Sequence, residues 1–110
     1  MNTDLKNEKC LPCSGSTPKF NVTVISEHIS KLNKWSVNDE QNMIYKKFEF
    51  KTFNQALIFT NKVGAIADNE GHHPDISFGW AYTLIMLHTH AIKGLSLNDF
   101  IVAAKIDELF

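Results

Sequence analysis

The chain has 110 residues, 44% of them hydrophobic and 11% aromatic, with 11 Lys, no Arg, 12 acidic residues, 5 His and 2 Cys. This describes one small domain that can close a core without metal or disulfide staples, since folding at this length buries roughly two-thirds of the unfolded surface. The net charge of -1 and the lack of Arg, the side chain best shaped for bidentate capture of phosphate or guanine, make nucleic acid a poor partner.

Charge is uneven along the chain: residues 1–55 hold 8 Lys against 6 acids, and residues 56–110 hold 3 Lys against 6 acids together with four of the five His. The opening MNTDLKNEKCLPCSGSTPKF carries Asp4, Lys6, Glu8 and Lys9 and no apolar run, which predicts neither signal peptide nor anchor and hence a cytoplasmic chain. The longest uncharged run, the 17 residues from Ile76 to Ile92, contains His, Gly, Ser and Thr and falls short of a membrane span.

Residues 1–20, polar and punctuated by Pro12, Gly15 and Pro18, read as a flexible tail, with the folded domain at 21–110. From Thr23, a plausible N-cap, Val24, Ile25, His28, Ile29 and Leu32 recur at helical spacing, predicting a helix that ends near Asn33. Trp35 to Val37 and Met43 to Phe50 read as a hairpin across an Asn38-Asp39 turn. In its second strand Ile44, Lys46, Phe48 and Phe50 share the core face, while Tyr45, Lys47 and Glu49 face mostly solvent. Thr52-Phe-Asn-Gln55 fits a capping box, and Phe53, Ala56, Leu57, Phe59, Val63, Ile66 and Ala67 supply the stripe of the principal helix to about Asp68.

Asp75 to Phe78 and Ala81 to Ala91 read as a second hairpin, with Gly79 allowing a turn or bulge and both faces of the long strand substantially covered. Ser96-Leu-Asn-Asp99 is a second helix-start signature, leading a helix through Leu97, Ile101 and Ala104 to the C-terminus. The predicted order is α-β-β-α-β-β-α, an α+β fold with a four-stranded, mainly antiparallel sheet and helices packed on one face.

His72-His73-Pro74 follows the principal helix and His88-Thr-His90 ends the longest strand, so four imidazoles fall within 19 residues. Imidazole titrates near neutrality, so one ring can donate a proton while another accepts one, as expulsion of a hydroxyl requires. Pro74 biases His73 to an extended backbone, which points His72 and His73 in different directions and gives them different jobs. Two other readings stand beside this one. Some of the four His are exposed loop residues and core-edge hydrogen bonders, or the His-x-His pair with one further His makes a three-imidazole zinc site for a zinc-dependent hydratase.

Cys10-x-x-Cys13 lacks both a second Cys pair and a strand-then-helix context, and reads as a reduced, mobile pair. Trp35 and Trp80 read as core or interface residues, although an aromatic beside a His cluster also suits a planar ring.

The arrangement Asp68-x-x-x-His72-His73-Pro74, then five residues to Trp80, nine to His90 and eight to Asp99, resembles the signature of the pterin-4a-carbinolamine dehydratases. The likeness extends through Gly94-Leu95-Ser96 and Asn98-Asp99-Phe100 and covers roughly residues 22 to 110. It implies a hydro-lyase that dehydrates 4a-hydroxytetrahydropterin to quinonoid dihydropterin, recycling the cofactor of aromatic amino acid hydroxylases. The pterin is then the substrate, and neither cofactor nor metal is implied.

The resemblance also implies that His72, His73 and His90 form the site; His88 is outside the signature. By the same likeness Asp99 orients His90 while capping its helix, and Asp68 binds the polar edge of the pterin or ends its helix. Family members assemble as homodimers or homotetramers. Animal relatives also serve as dimerization cofactors for a homeodomain transcription factor, which supplies an alternative expectation of a non-catalytic interaction module.

Overall fold

The computed structural model describes residues 5–110. Chain order runs α1 (Val22–Ile29), β1 (Ser36–Val37), β2 (Ile44–Glu49), α2 (Phe53–Glu70), β3 (Asp75–Gly79), β4 (Tyr82–Leu87) and α3 (Leu97–Asp107), with single 3-10 turns at Leu5–Asn7 and His90–Ile92. The strands form one antiparallel sheet in the order β1-β2-β4-β3, the α+β arrangement that the sequence predicts.

Alternation sets which face of the sheet is covered. Ile44 and Phe48 of β2 and Thr83, Ile85 and Leu87 of β4 are buried, and Tyr45, Lys47 and Glu49 are exposed. The helices supply Ile25, Phe59, Val63, Phe100, Ile101 and Ile106 to the same core. Each such apolar side chain contributes roughly 1.5–3 kcal/mol by leaving water. The opposite face of β4, with Tyr82, Leu84 and Met86, is only half-buried, short of the cover expected on both faces.

Trp35 is buried, edge-on to Phe48 at 6.2 Å, and donates its Nε1–H to Asp107 Oδ1 at 2.9 Å. Asp107 also pairs with Lys46 at 3.0 Å, which brings the charged residue of β2's inner face to the end of α3 without leaving it unpaired.

Element boundaries follow the capping chemistry. Thr52 accepts the Gln55 N–H at 3.1 Å as expected, while Gln55 Oε1 reaches past the N-cap to accept the Lys51 N–H at 2.8 Å, a variant of the expected box. The first helix starts two residues earlier than predicted, because Asn21 rather than Thr23 is the N-cap and accepts the Val24 N–H. It stops at Ile29, four residues short of the predicted end. Gly79 ends β3 rather than turning it: a Cβ there would sit 2.8 Å from the Tyr82 ring, so the glycine permits a close approach.

Two expectations fail on larger grounds. The long strand to Ala91 stops at Leu87; Thr89 and Gly94 alone are bridged, and residues 90–92 form a turn closed by Lys93 at φ 51°. His90 therefore stands on a loop tip rather than on a strand face.

The tail expectation fails for residues 5–20, while residues 1–4 lie outside the described residues. Leu5 is buried in the core, Phe20 lies 5.7 Å from the Phe100 ring, and the Phe20 N–H donates to the Leu95 carbonyl at 2.8 Å. This cover explains why α3 buries Phe100, Ile101, Val102 and Ala103 in succession, more of its circumference than a single apolar stripe presents.

Candidate active site

The site begins where α2 ends. Gly71 caps the helix in the left-handed region at φ 68°, and the His72 N–H returns to the Ala67 carbonyl at 3.2 Å, so the chain reverses and carries His72 inward. Pro74 then commits the backbone to β3. As the sequence predicts, the two neighbours diverge: His72 is 8% exposed, whereas His73 stands at the surface.

His72 meets Asp99 of α3, Nε2 to Oδ1 at 2.7 Å. Asp99 is fully buried and its second oxygen accepts the Thr89 hydroxyl at 2.7 Å and the Ser96 N–H at 3.0 Å. With the one Thr89 proton committed to Asp99, the Ser96 hydroxyl donates to Thr89 Oγ1 at 2.8 Å. A carboxylate so surrounded accepts only, which assigns the His72 proton to Nε2 and leaves Nδ1 as the nitrogen not held by Asp99. Asp99 thus fixes the ring's tautomer while closing the first turn of its own helix. The expectation that Asp99 orients His90 is corrected: its imidazole partner is His72, because His90 is carried away on the loop tip.

The other imidazoles have looser partners. His73 Nε2 lies 3.0 Å from Asp68 Oδ1, both exposed, a pairing worth well under about 1 kcal/mol in water and therefore easily exchanged for a ligand. His88 Nε2 lies 3.3 Å from Asp75 Oδ2, and its ring meets that of His90 edge-on with centroids 4.1 Å apart.

All four rings line one cavity of about 370 Å³, with Gly71, Pro74, Asp75, Thr89, Ala91 and Cys13. This is an appropriate size for a bicyclic heteroaromatic ligand. A larger hollow of about 600 Å³ beside Phe50, Ile58, Phe59 and Phe110 holds no imidazole.

Of the residues singled out in the sequence, His72, His73 and His90 converge on the cavity, Asp99 and Asp68 hold two of them, and Trp80 does not take part. Trp80 is 73% exposed at the far end of the β3–β4 hairpin, roughly 16 Å along the strand from Asp75, so it is neither core nor site. Sequence reasoning missed Thr89, whose signal is only a buried hydroxyl, and Cys13, assigned to a tail. It also set His88 aside.

Among the described residues no trio of His, Cys, Asp or Glu is grouped to hold a metal ion. Nor, among them, is any helix long and apolar enough to cross a membrane.

The Cys13 wall is held from behind. Burial, reinforced by the neighbouring Glu70 carboxylate, pushes the Cys10 thiol up to about 12. Burial works against the Glu70 charge as well. The Cys10 N–H at 2.9 Å and the Lys105 ammonium at 3.5 Å outweigh it and hold that carboxyl below its ordinary value.

Comparison with known proteins agrees with this architecture. The structure superimposes on the crystal structure of a transcriptional coactivator/pterin dehydratase from Brucella melitensis with a TM-score of 0.80, at 24% identity, over 84% of this chain and 98% of that one. A second solved structure, of a pterin dehydratase-like protein described as a RuBisCO assembly factor in the alpha-carboxysome, matches with a TM-score of 0.60 at 27% identity, over 70% of this chain and 89% of the other.

In sequence, a Rickettsia bellii protein provisionally named pterin-4-alpha-carbinolamine dehydratase is 43% identical over 99% of this chain and 96% of its own length. One from Alkaliphilus metalliredigens, provisionally given the same name, is 42% identical over 96% and 95%. The family profile described as pterin 4 alpha carbinolamine dehydratase matches residues 18–109, and the chain belongs to that family.

Proposed function

We propose that the protein is a hydro-lyase that converts 4a-hydroxytetrahydropterin to quinonoid dihydropterin and water by histidine acid–base chemistry. The observation that carries this reading is the convergence of His72, His73 and His90 on one cavity, with His72 locked by a buried carboxylate. An imidazolium, that of His72 or His90, gives its proton to the 4a-hydroxyl as the C4a–O bond breaks and water departs. The electron pair of the adjacent ring nitrogen forms the new C=N bond, and the proton it loses passes to the neutral imidazole of the other residue.

His73 sits on the rim and binds and orients the ring. Asp68 is a holding partner for His73 when the cavity is empty. In this reading the protein needs no cofactor beyond its pterin substrate and works as a homodimer or homotetramer in the cytoplasm, supplied by an aromatic amino acid hydroxylase.

The test is stopped-flow absorbance of 4a-hydroxytetrahydropterin, generated by a phenylalanine hydroxylase, with and without metal-stripped protein. The expected result is accelerated decay that survives chelation. Folded protein that leaves the decay unchanged overturns the reading, and activity that returns only with added zinc replaces it by the zinc-dependent one.

The second reading, a non-catalytic interaction module, draws on the solved relative described as an assembly factor. Co-purification of a stoichiometric partner together with absence of dehydration would favour it.

A further inference from the structure

We propose that Cys13, at the end of the segment 10–13, forms one wall of the substrate cavity and that Asn98 is the residue that positions this wall through the segment; the inference deepens the dehydratase reading and rests on it. Asn98 is the second residue of α3 and 6% exposed. Its carboxamide is committed to the segment: Oδ1 accepts the Leu11 N–H at 3.1 Å, and Nδ2 donates to the Leu11 carbonyl at 2.7 Å and to Cys13 Sγ at 2.9 Å. A side-chain amide that both donates to and accepts from one residue offers what a neighbouring strand would offer, and it fixes the register of the segment to that residue.

Glu70 is the second fastener. Its side chain is 5% exposed, Oε1 accepts the Cys10 N–H at 2.9 Å, and Oε2 lies 3.5 Å from Lys105 Nζ, which in turn donates to the Lys6 carbonyl at 2.8 Å. Burying a carboxylate and a carboxamide against a polar segment carries a desolvation cost, and here that cost is offset by satisfying every buried side-chain polar atom among the described residues.

The positions of the two fasteners tie the wall to the chemistry. Glu70 precedes His72 by two residues, and Asn98 immediately precedes Asp99, which holds His72. The two helix ends that build the His72–Asp99 pair therefore also seat the segment, and Cys13 comes to lie in the lining with His72, His73, His88 and His90. A thiol is a small, soft, weakly hydrogen-bonding group, so Cys13 gives a planar heterocycle a surface to pack against rather than a proton to exchange. Losing the wall weakens the hold on the ring without altering the imidazoles that move protons. This is a change in KM rather than in kcat.

The experiment is steady-state dehydration kinetics of the full chain, paired with alkylation of its thiols by iodoacetamide. Asn98→Ala is expected to raise KM about tenfold with kcat within about twofold, the pattern of lost binding common to ground and transition states. Cys13→Phe, which fills the lining and gives up the Asn98 bond to Sγ but keeps the Asn98 bonds to Leu11 and the Glu70 bond to Cys10, also raises KM. In the wild-type protein iodoacetamide modifies Cys13 and spares Cys10, whose thiol stays protonated to about pH 12. Dihydropterin slows the Cys13 reaction, and Asn98→Ala abolishes that protection.

An unchanged KM in both variants overturns the proposal. So does a fall in kcat at constant KM in Asn98→Ala, which would mean that Asn98 acts only through α3 and Asp99. Should Asn98→Ala fail to fold, Cys13→Phe and the labelling decide. A wild-type chain that dehydrates nothing instead overturns the underlying reading. Labelling needs no turnover, so protection of Cys13 by dihydropterin would still support the wall in that case, and lack of protection would reject it.

Discussion

Asp99 accepts hydrogen bonds from His72, Thr89 and Ser96 while fully buried, so its removal strands three donors at once. Asp99→Ala should lower unfolding free energy by about 3 kcal/mol in a denaturant titration, because orphaned buried donors keep their full desolvation cost. Asp99→Asn keeps the shape but presents an amide where His72 needs an acceptor. A drop in kcat of at least about tenfold, larger than the accompanying loss of stability accounts for, is the expected result. His73 has no such support, and His73→Ala should leave under about a tenth of wild-type kcat/KM with an unchanged melting temperature, given the worth of such groups. Retention of most activity would remove His73 from the site. At this scale the spacing of Asp68, His72, His73, His90 and Asp99 was legible in the sequence, but the pairing of Asp99 was not. That pairing depends on the reversal at Gly71 and on β4 stopping at Leu87, neither of which a spacing encodes.

The elements divide cleanly into those that make the site and those that only support it. The N-cap of α2 lies one helix length, roughly 27 Å, from the imidazoles that follow its C-terminus. Thr52→Ala should therefore cost about 1 kcal/mol of stability by loss of the Gln55 N–H bond and leave kcat/KM unchanged. Gly71→Ala makes the informative contrast. A Cβ there meets nothing within 4 Å, so the cost, again about 1 kcal/mol, comes from the left-handed backbone alone. Because His72 is the next residue, this change should also depress kcat, and equal activity in the two variants would deny that the helix end aims the ring. Capping signals at Thr52 and Ser96 are local, carried by side chains reaching amides three residues away, so they could be read without the fold. The end of β4 could not, since the uncharged run to Ile92 continues past the point where pairing with β2 runs out at Ile44.

At the scale of the molecule, the docked N-terminal segment makes stability depend on pH at both extremes. The Cys10 thiol is raised from 9.0 to about 12, so the folded state holds its proton where the unfolded chain has lost it. Its contribution is intact below pH 9 and is lost as pH rises toward 12. Glu70 is lowered below 4.5, so its contribution is present above that pH and fades as pH falls through the depressed value. Melting temperature measured against pH should show both limbs, with Cys10→Ser flattening the alkaline one and Glu70→Gln the acidic one. Limbs untouched by these substitutions would place the pH dependence elsewhere.

The sequence by itself determined the order of elements, the inner faces of the sheet, the two helix starts and the set of histidines, because each follows from periodicities and caps that act within a few residues. Only the tertiary structure decided that Asp99 serves His72, that Trp80 stands away from the site and that residues 5–20 belong to the folded body. The last of these outcomes rests on hydrogen bonds between residues as far apart as Leu11 and Asn98 or Cys10 and Glu70. A polar segment with little apolar content carries no period that announces such a partner. Its place is set by buried side-chain acceptors on distant helix ends, which come together only when the core brings α2 and α3 side by side.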